Sequence, residues 1–348
     1  MIETQELELA VSAHKTVNDV LNVKSGETLL ITIDSKADFR LAAAMARAGE
    51  CAGAKTMIAY HSTPPAYGKA GEAWYPDSLV GAIERAEAWI ELNHQWIYCS
   101  SVWERVMAKG TKIRYFHLGK MDPDSIWRCL GALDLNCLKE FMTSVVNMTQ
   151  AATEMRFTSP AGTDVLFKNA GRSVTNECGD ASTPGVHFMI GQIGWAPLEE
   201  SIEGEIVFDG SFSGGGPMDL GILRDPIKFV VEKGKIVAIE GKAEAKKVKE
   251  WLAGLNDSRM YSLAHTCYGF NPGAQLTGEC TEDERIWGCT QWGFGYQAEL
   301  FEGALGDAPT HGDGICLNSS AWLDGTQILD EGKVVEPKLA DLAVKLGK

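Results

Sequence analysis

The sequence has little with which to grip a phosphate. Neither GxGxxG nor GxxxxGK[ST] occurs in its 348 residues, so neither glycine-loop route to a nucleotide is supported. No basic run breaks a formal net charge of −15, which excludes a phosphate-neutralising patch for nucleic acid or for an anionic membrane surface. No apolar run approaches the roughly 20 residues that cross a bilayer. The acidic start, residues 1–10, has neither the basic nor the apolar region of a signal peptide. Nine cysteines lie at 51, 99, 129, 137, 178, 267, 280, 289 and 316, with no CxxC spacing. That pattern argues against a disulfide framework and against a finger-type zinc site, and it leads us to expect reduced thiols in a cytoplasm. What remains is an ordinary globular balance, 45% hydrophobic and 23% charged, long enough for two domains.

The first half alternates strand and helix signals. The apolar run at 28–33 is a buried parallel strand, with Asp34 and Ser35 as caps for an alanine-rich helix at 37–52. Gly53 stops that helix, and 56–60 is the next strand. A second round follows: a helix near 79–88, a strand at 88–92, a helix at 101–109 and a strand at 112–116. From about residue 155 the texture changes to hairpins. Residues 155–159 pair with 163–167, and 227–232 with 235–240; a charged helix follows at 243–255. The expected fold class is therefore α/β. A doubly wound, mostly parallel sheet occupies residues 1–150, and an α+β domain with antiparallel sheet occupies 151–348 and carries any metal site.

Only seven histidines are present. His14 falls in a helix and reads as a surface residue. His61 and His117 each follow a strand at the carboxyl edge where such sheets bind ligands, yet both read more simply as solvated loop residues. His94 lies beside Trp96 and Tyr98 near another strand end.

His311 is different. In Thr310-His-Gly-Asp-Gly-Ile315 it stands two residues before Asp313 at the entry to a strand, and residues i and i+2 of a strand share a face. Spacing alone leaves two readings, a metal-binding pair or a structural hydrogen bond. His265, in the apolar stretch 263–272, is the candidate third ligand. Two histidines and a carboxylate form the facial triad of non-haem Fe(II) oxygenases, and the same set also suits catalytic zinc.

Residues 26–60, 193–208 and 268–286 are similar to the thermophilic leucyl aminopeptidase (aminopeptidase T) superfamily. The resemblance implies a two-metal site, yet three of its ligand positions fall here on Gln192, His265 and Gln291, while the His-x-Asp pair is kept as His311 and Asp313. Loss of two ligands to neutral amides argues against peptide hydrolysis, which stands as the alternative function. The stretches 264–269 and 310–315 resemble instead a divergent branch, the 2,5-dihydroxypyridine 5,6-dioxygenases.

That likeness implies one Fe(II) on His265, His311 and Asp313, cleaving a hydroxylated pyridine or related small aromatic with O2. Val174-Thr-Asn-Glu177 and His187 match a further pattern of the branch, which makes Glu177 and His187 the acid/base candidates. Gln192, Trp195, Tyr268, Gln291 and Trp292 are candidate substrate contacts, the aromatic ones with core packing as their alternative. Self-association into a homo-oligomer is expected by the same resemblance.

Overall fold

The computed structural model describes residues 2–108, 110–169 and 171–348. The chain divides into two compact units, residues 1–133 with 179–190 and residues 134–178 with 191–348. Among the described residues no helix is long and apolar enough to cross a membrane, and no disulfide joins any of the cysteines.

The first unit is built on a five-stranded parallel sheet. Its order is Lys55–His61, Thr28–Asp34, Ala88–Glu91, Arg114–His117, Gly185–Phe188. Thr28–Asp34 is buried from Leu29 onward, as a strand covered on both faces must be. Helix Phe39–Cys51 turns Leu41, Ala42, Met45, Ala46 and Gly49 inward, the spacing of a single apolar stripe. Its cap is Asp38, whose carboxylate accepts from the Arg40 amide, and not Asp34 or Ser35. Asp34 instead accepts from the amides of Lys36 at 3.0 Å and Gln95 at 2.8 Å, tying a strand end to two loops. The helix expected over 101–109 spans Ser101–Val106, and Lys109 lies outside the described residues.

The units do not divide at residue 150. Helix Leu135–Ala151 belongs to the second unit, and Gly185–Phe188 returns to close the edge of the first unit's sheet. That strand is four half-buried residues long, too short and too mixed to show a period of two.

The second unit contains two antiparallel sheets. The eight-stranded one includes the expected hairpins, Glu154–Thr158 with Asp164–Lys168 and Ile227–Glu232 with Lys235–Gly241. Helix Ala243–Leu255 follows at the limits read from the sequence. The six-stranded sheet has Leu263–Gly269 flanked by Gln192–Trp195 on one side and Thr290–Gly295 on the other, with His311–Cys316 next in order. Phe157 and Phe167 of the larger sheet meet Tyr268 and Trp292 of the smaller, with ring centroids 5.4 and 5.2 Å apart. The two sheets therefore share an aromatic core.

Candidate metal centre

Strand register assembles the site. Directly opposite residues of an antiparallel pair present side chains on one face. His265 stands opposite Gly293, and Gly293 opposite Asp313, so these three form one row across three strands. His311 lies two residues before Asp313 on the same face, opposite Gly295. The ligand atoms of His265, His311 and Asp313 all lie within 4.8 Å of one another.

Gly293 makes this convergence possible. His265 and Asp313 are two strands apart, about 9–10 Å between backbones, and must lean together over the strand between them. A Cβ on residue 293 would lie 2.2 Å from His265 Cε1 and 2.4 Å from its Nδ1. The missing side chain is the seat of the imidazole. Phe301 covers one face of that ring at a centroid distance of 4.4 Å, and His311 lies parallel to it at 5.1 Å.

The donor set suits a cation. His311 Nδ1 lies 2.6 Å from the Tyr296 carbonyl oxygen, which can only accept, so Nδ1 carries a proton and Nε2 is the nitrogen turned toward Asp313. That Nε2 faces Asp313 Oδ1 at 3.1 Å, and His265 Nε2 faces the same oxygen at 3.5 Å. With both Nε2 atoms deprotonated, these three groups could hold one cation between them. Burial holds His265 far below its ordinary pKa, at about 3, so its imidazole is neutral. Burial also opposes charge on His311, but the adjacent Asp313 outweighs it and holds the pKa above the usual value. Asp313 is held below the carboxylate range despite its burial, first by His311 and then by His265. His265 Nδ1 is buried with no hydrogen-bond partner, so stacking on Phe301, the Gly293 seat and the Nε2 contact with Asp313 orient this ring.

A polar network adjoins the triad. Gln291 Nε2 donates to Asp313 Oδ1 at 2.6 Å and to Glu284 Oε1 at 3.1 Å. Glu284 also accepts from Cys280 Sγ at 2.7 Å, from Gln192 Nε2 at 2.9 Å and from Arg285 Nη1. Its burial pushes its pKa up, against the pull of Arg285.

Four consecutive charged residues, 282–285, would ordinarily form a solvated run, yet all four are buried. Each carboxylate has a defined partner: Glu282 takes the Gln275 amide, Asp283 takes the amides of Thr277 and Gly278, and Glu284 takes the network. No periodicity signals this. Only the contiguity of four charges running straight into Ile286 and Trp287 hints that they have an internal use.

The remaining expected residues are distributed as follows. Gln192 and Gln291 share the face of the triad, but their amides are committed to each other, to Glu284 and to Asp313. Trp195, Tyr268 and Trp292 are fully buried, and register puts them on the opposite face, in the core between the sheets. An odd number of positions along a strand reverses the face, so these aromatics, one or three residues from Gln192, His265 and Gln291, are turned away from the site. Glu177 lies next to the Gln192 strand in the same unit, its amide donating to the Gln192 carbonyl at 3.0 Å. His187 belongs to the first unit, on strand Gly185–Phe188. Its Nε2 meets the Thr183 carbonyl at 2.8 Å, and burial lowers its pKa. His14 is exposed as expected, whereas His61 and His117 are buried rather than solvated.

Residues 10–336 match the family model described as 2,5-dihydroxypyridine 5,6-dioxygenase (NicX). The chain belongs to this family. It is 26% identical over 249 residues to the 2,5-dihydroxypyridine 5,6-dioxygenase of Pseudomonas putida KT2440, an alignment covering 68% of this chain and 67% of that protein. The solved 2,5-dihydroxypyridine dioxygenase from P. putida KT2440 superposes with a TM-score of 0.77 at 20% identity, over 95% of this chain and 98% of that one. Wild-type AmpT from Thermus thermophilus superposes with a TM-score of 0.68 at 13% identity, over 94% and 99%. These likenesses show a shared aminopeptidase T-like fold.

Proposed function

We propose that this chain is an Fe(II)-dependent ring-cleaving dioxygenase of the extradiol type, acting on a hydroxylated pyridine such as 2,5-dihydroxypyridine. The carrying observation is the convergence of His265, His311 and Asp313 in a member of a dioxygenase family. Two neutral imidazoles and one carboxylate would hold the metal on one face and leave its other positions to substrate and O2. Bound Fe(II) supplies the electron path that lets triplet O2 react with a singlet ring, and a template that holds the two side by side.

The protein's own residues do the rest. Asp313 contributes the single negative charge, and the Tyr296 carbonyl keeps the His311 Nε2 lone pair aimed inward. Glu177, half-buried beside the Gln192 strand, is our candidate to take the substrate hydroxyl proton. Two of the positions that resemble peptidase ligands are amides already engaged in hydrogen bonds, which speaks against a hydrolytic two-metal centre.

Anaerobic purification with elemental analysis, followed by oxygen uptake with 2,5-dihydroxypyridine, tests the proposal. The expected result is about one iron per chain with stoichiometric O2 consumption. Two zinc or cobalt ions per chain, with release of amino-terminal residues from peptides, would overturn it.

A further inference from the structure

The two glutamines beside the triad are wired in one direction. Asp313 and Glu284 offer acceptors, so the group of Gln291 lying between them must be its nitrogen, which donates to Asp313 at 2.6 Å and to Glu284 at 3.1 Å. Gln291 Oε1 is then left to accept from Gln192 Nε2 at 2.9 Å, whose other proton goes to Glu284 Oε2 at 2.9 Å. Gln192 Oε1 in turn accepts from Arg285 Nη2 at 3.1 Å. Fixed donors at one end and fixed acceptors at the other leave neither amide free to flip. Every side-chain polar atom of the two glutamines is used.

We infer that Gln291, braced by Gln192 and Arg285, is a positioning residue that presents Asp313 to one cation and keeps a second cation out of the adjoining cluster. This rests on the metal-binding reading of the triad. The adjoining cluster is Cys280, Glu284 and Asp313, whose ligand atoms also lie within 4.8 Å of one another, close enough for one ion. Its carboxylates are already answered. The Gln291 amide bridges Asp313 and Glu284, and Glu284 receives three further donors from Cys280, Gln192 and Arg285. An ion there would have to displace a fully satisfied, buried network, whose members strengthen one another where water is scarce. The same amide proton gives Asp313 Oδ1 a fixed partner, leaving that carboxylate one orientation toward the two imidazoles.

The test replaces the donor with an acceptor of the same length. In Gln291→Glu the bridging protons are lost and a third carboxylate joins the cluster. Metal content after equilibration with Mn(II) or Zn(II) and dialysis is expected to rise from about one to about two per chain. Gln192→Glu, which sets a new carboxylate against Glu284, serves the same purpose if the first variant does not fold. Gln291→Met removes the donor without adding charge; it should keep one metal but bind it about 10–100-fold more weakly. It should also shift the visible bands of the Co(II)-loaded protein, a change that a role in folding alone would not produce.

One ion per chain at wild-type affinity in both glutamate variants, with an unaltered Co(II) spectrum in Gln291→Met, overturns the inference. Wild-type protein that binds no metal, or whose metal survives His265→Ala, sinks the triad reading itself. The two failures are thus distinguishable.

Discussion

Both units gather histidines and carboxylates on a sheet, yet they hold them in opposite ways. At the carboxyl edge of the parallel sheet, His61 donates from Nδ1 to the Ser62 carbonyl and accepts at Nε2 from Asn93 at 2.6 Å. Glu91, fully buried, accepts from the amides of Ile97 and Tyr98 and from the Tyr115 hydroxyl, and His117 Nδ1 lies 3.0 Å from that hydroxyl. Donors there face acceptors. In the six-stranded antiparallel sheet, two imidazole nitrogens and a carboxylate oxygen point at one another. Among the described residues, both groups with metal-holding geometry lie in this second unit. Residue type is nearly the same in the two places. Orientation separates a structural hydrogen-bond network from a group that could hold a metal ion.

The largest expected effect tests that contrast with one substitution in each region. His265→Ala should abolish metal retention and oxygen uptake together, because it removes one of the three proposed ligands. His61→Ala should instead lower stability by about 1–3 kcal/mol, by stranding Asn93, and leave the metal content at the wild-type level. Elemental analysis and denaturant unfolding of both variants decide the matter. An iron content unchanged in His265→Ala, or lost in His61→Ala, would collapse the distinction.

Much of this contrast is legible in the amino-acid sequence alone. The hairpins and the helix Ala243–Leu255 follow from periodicity, and the shared face of His311 and Asp313 follows from a spacing of two on a strand. The pairing of His265 with Asp313 across Gly293 is not legible there, because register is set by contacts between strands far apart in sequence. For the same reason the sequence leaves Trp195, Tyr268 and Trp292 open between a pocket wall and the core, the commoner fate of such side chains. The buried residues 282–285 are hidden by the ordinary rule that charge runs are solvated, which fails where every carboxylate has an internal donor.

Gly293→Ala should come next in magnitude. A methyl 2.2 Å from His265 Cε1 displaces the imidazole, so metal affinity should fall by about 10–100-fold while the fold persists. Isothermal titration with Co(II) and circular dichroism would read both quantities. Retained affinity would mean that the ring has another seat.

Glu91→Gln makes the counterpart in the first unit. The amide nitrogen it introduces would confront the Ile97 or Tyr98 amide, donor against donor, so stability should drop by about 1–3 kcal/mol with metal binding untouched. Denaturant midpoints paired with metal content measure it. A loss of metal here would mean that the first unit's polar cluster takes part in the site.

The smallest effect separates the two proposed histidine ligands from each other. His311 is oriented by a backbone carbonyl on its Nδ1, a hold that no side-chain substitution removes. His265 has no such partner and depends on its Gly293 seat and on its stack with Phe301. Phe301→Ala removes that stack, and aromatic contacts of this kind contribute about 0.5–1.5 kcal/mol beyond their area. If that energy serves to hold the ring in its metal-binding pose, Co(II) affinity should weaken by about two- to tenfold, since 1.4 kcal/mol is a factor of ten. Phe301→Leu, which covers the ring without an aromatic face, should fall between the two. An affinity unchanged in Phe301→Ala would show that the Gly293 seat suffices, and that His265 is oriented by the space a glycine leaves open.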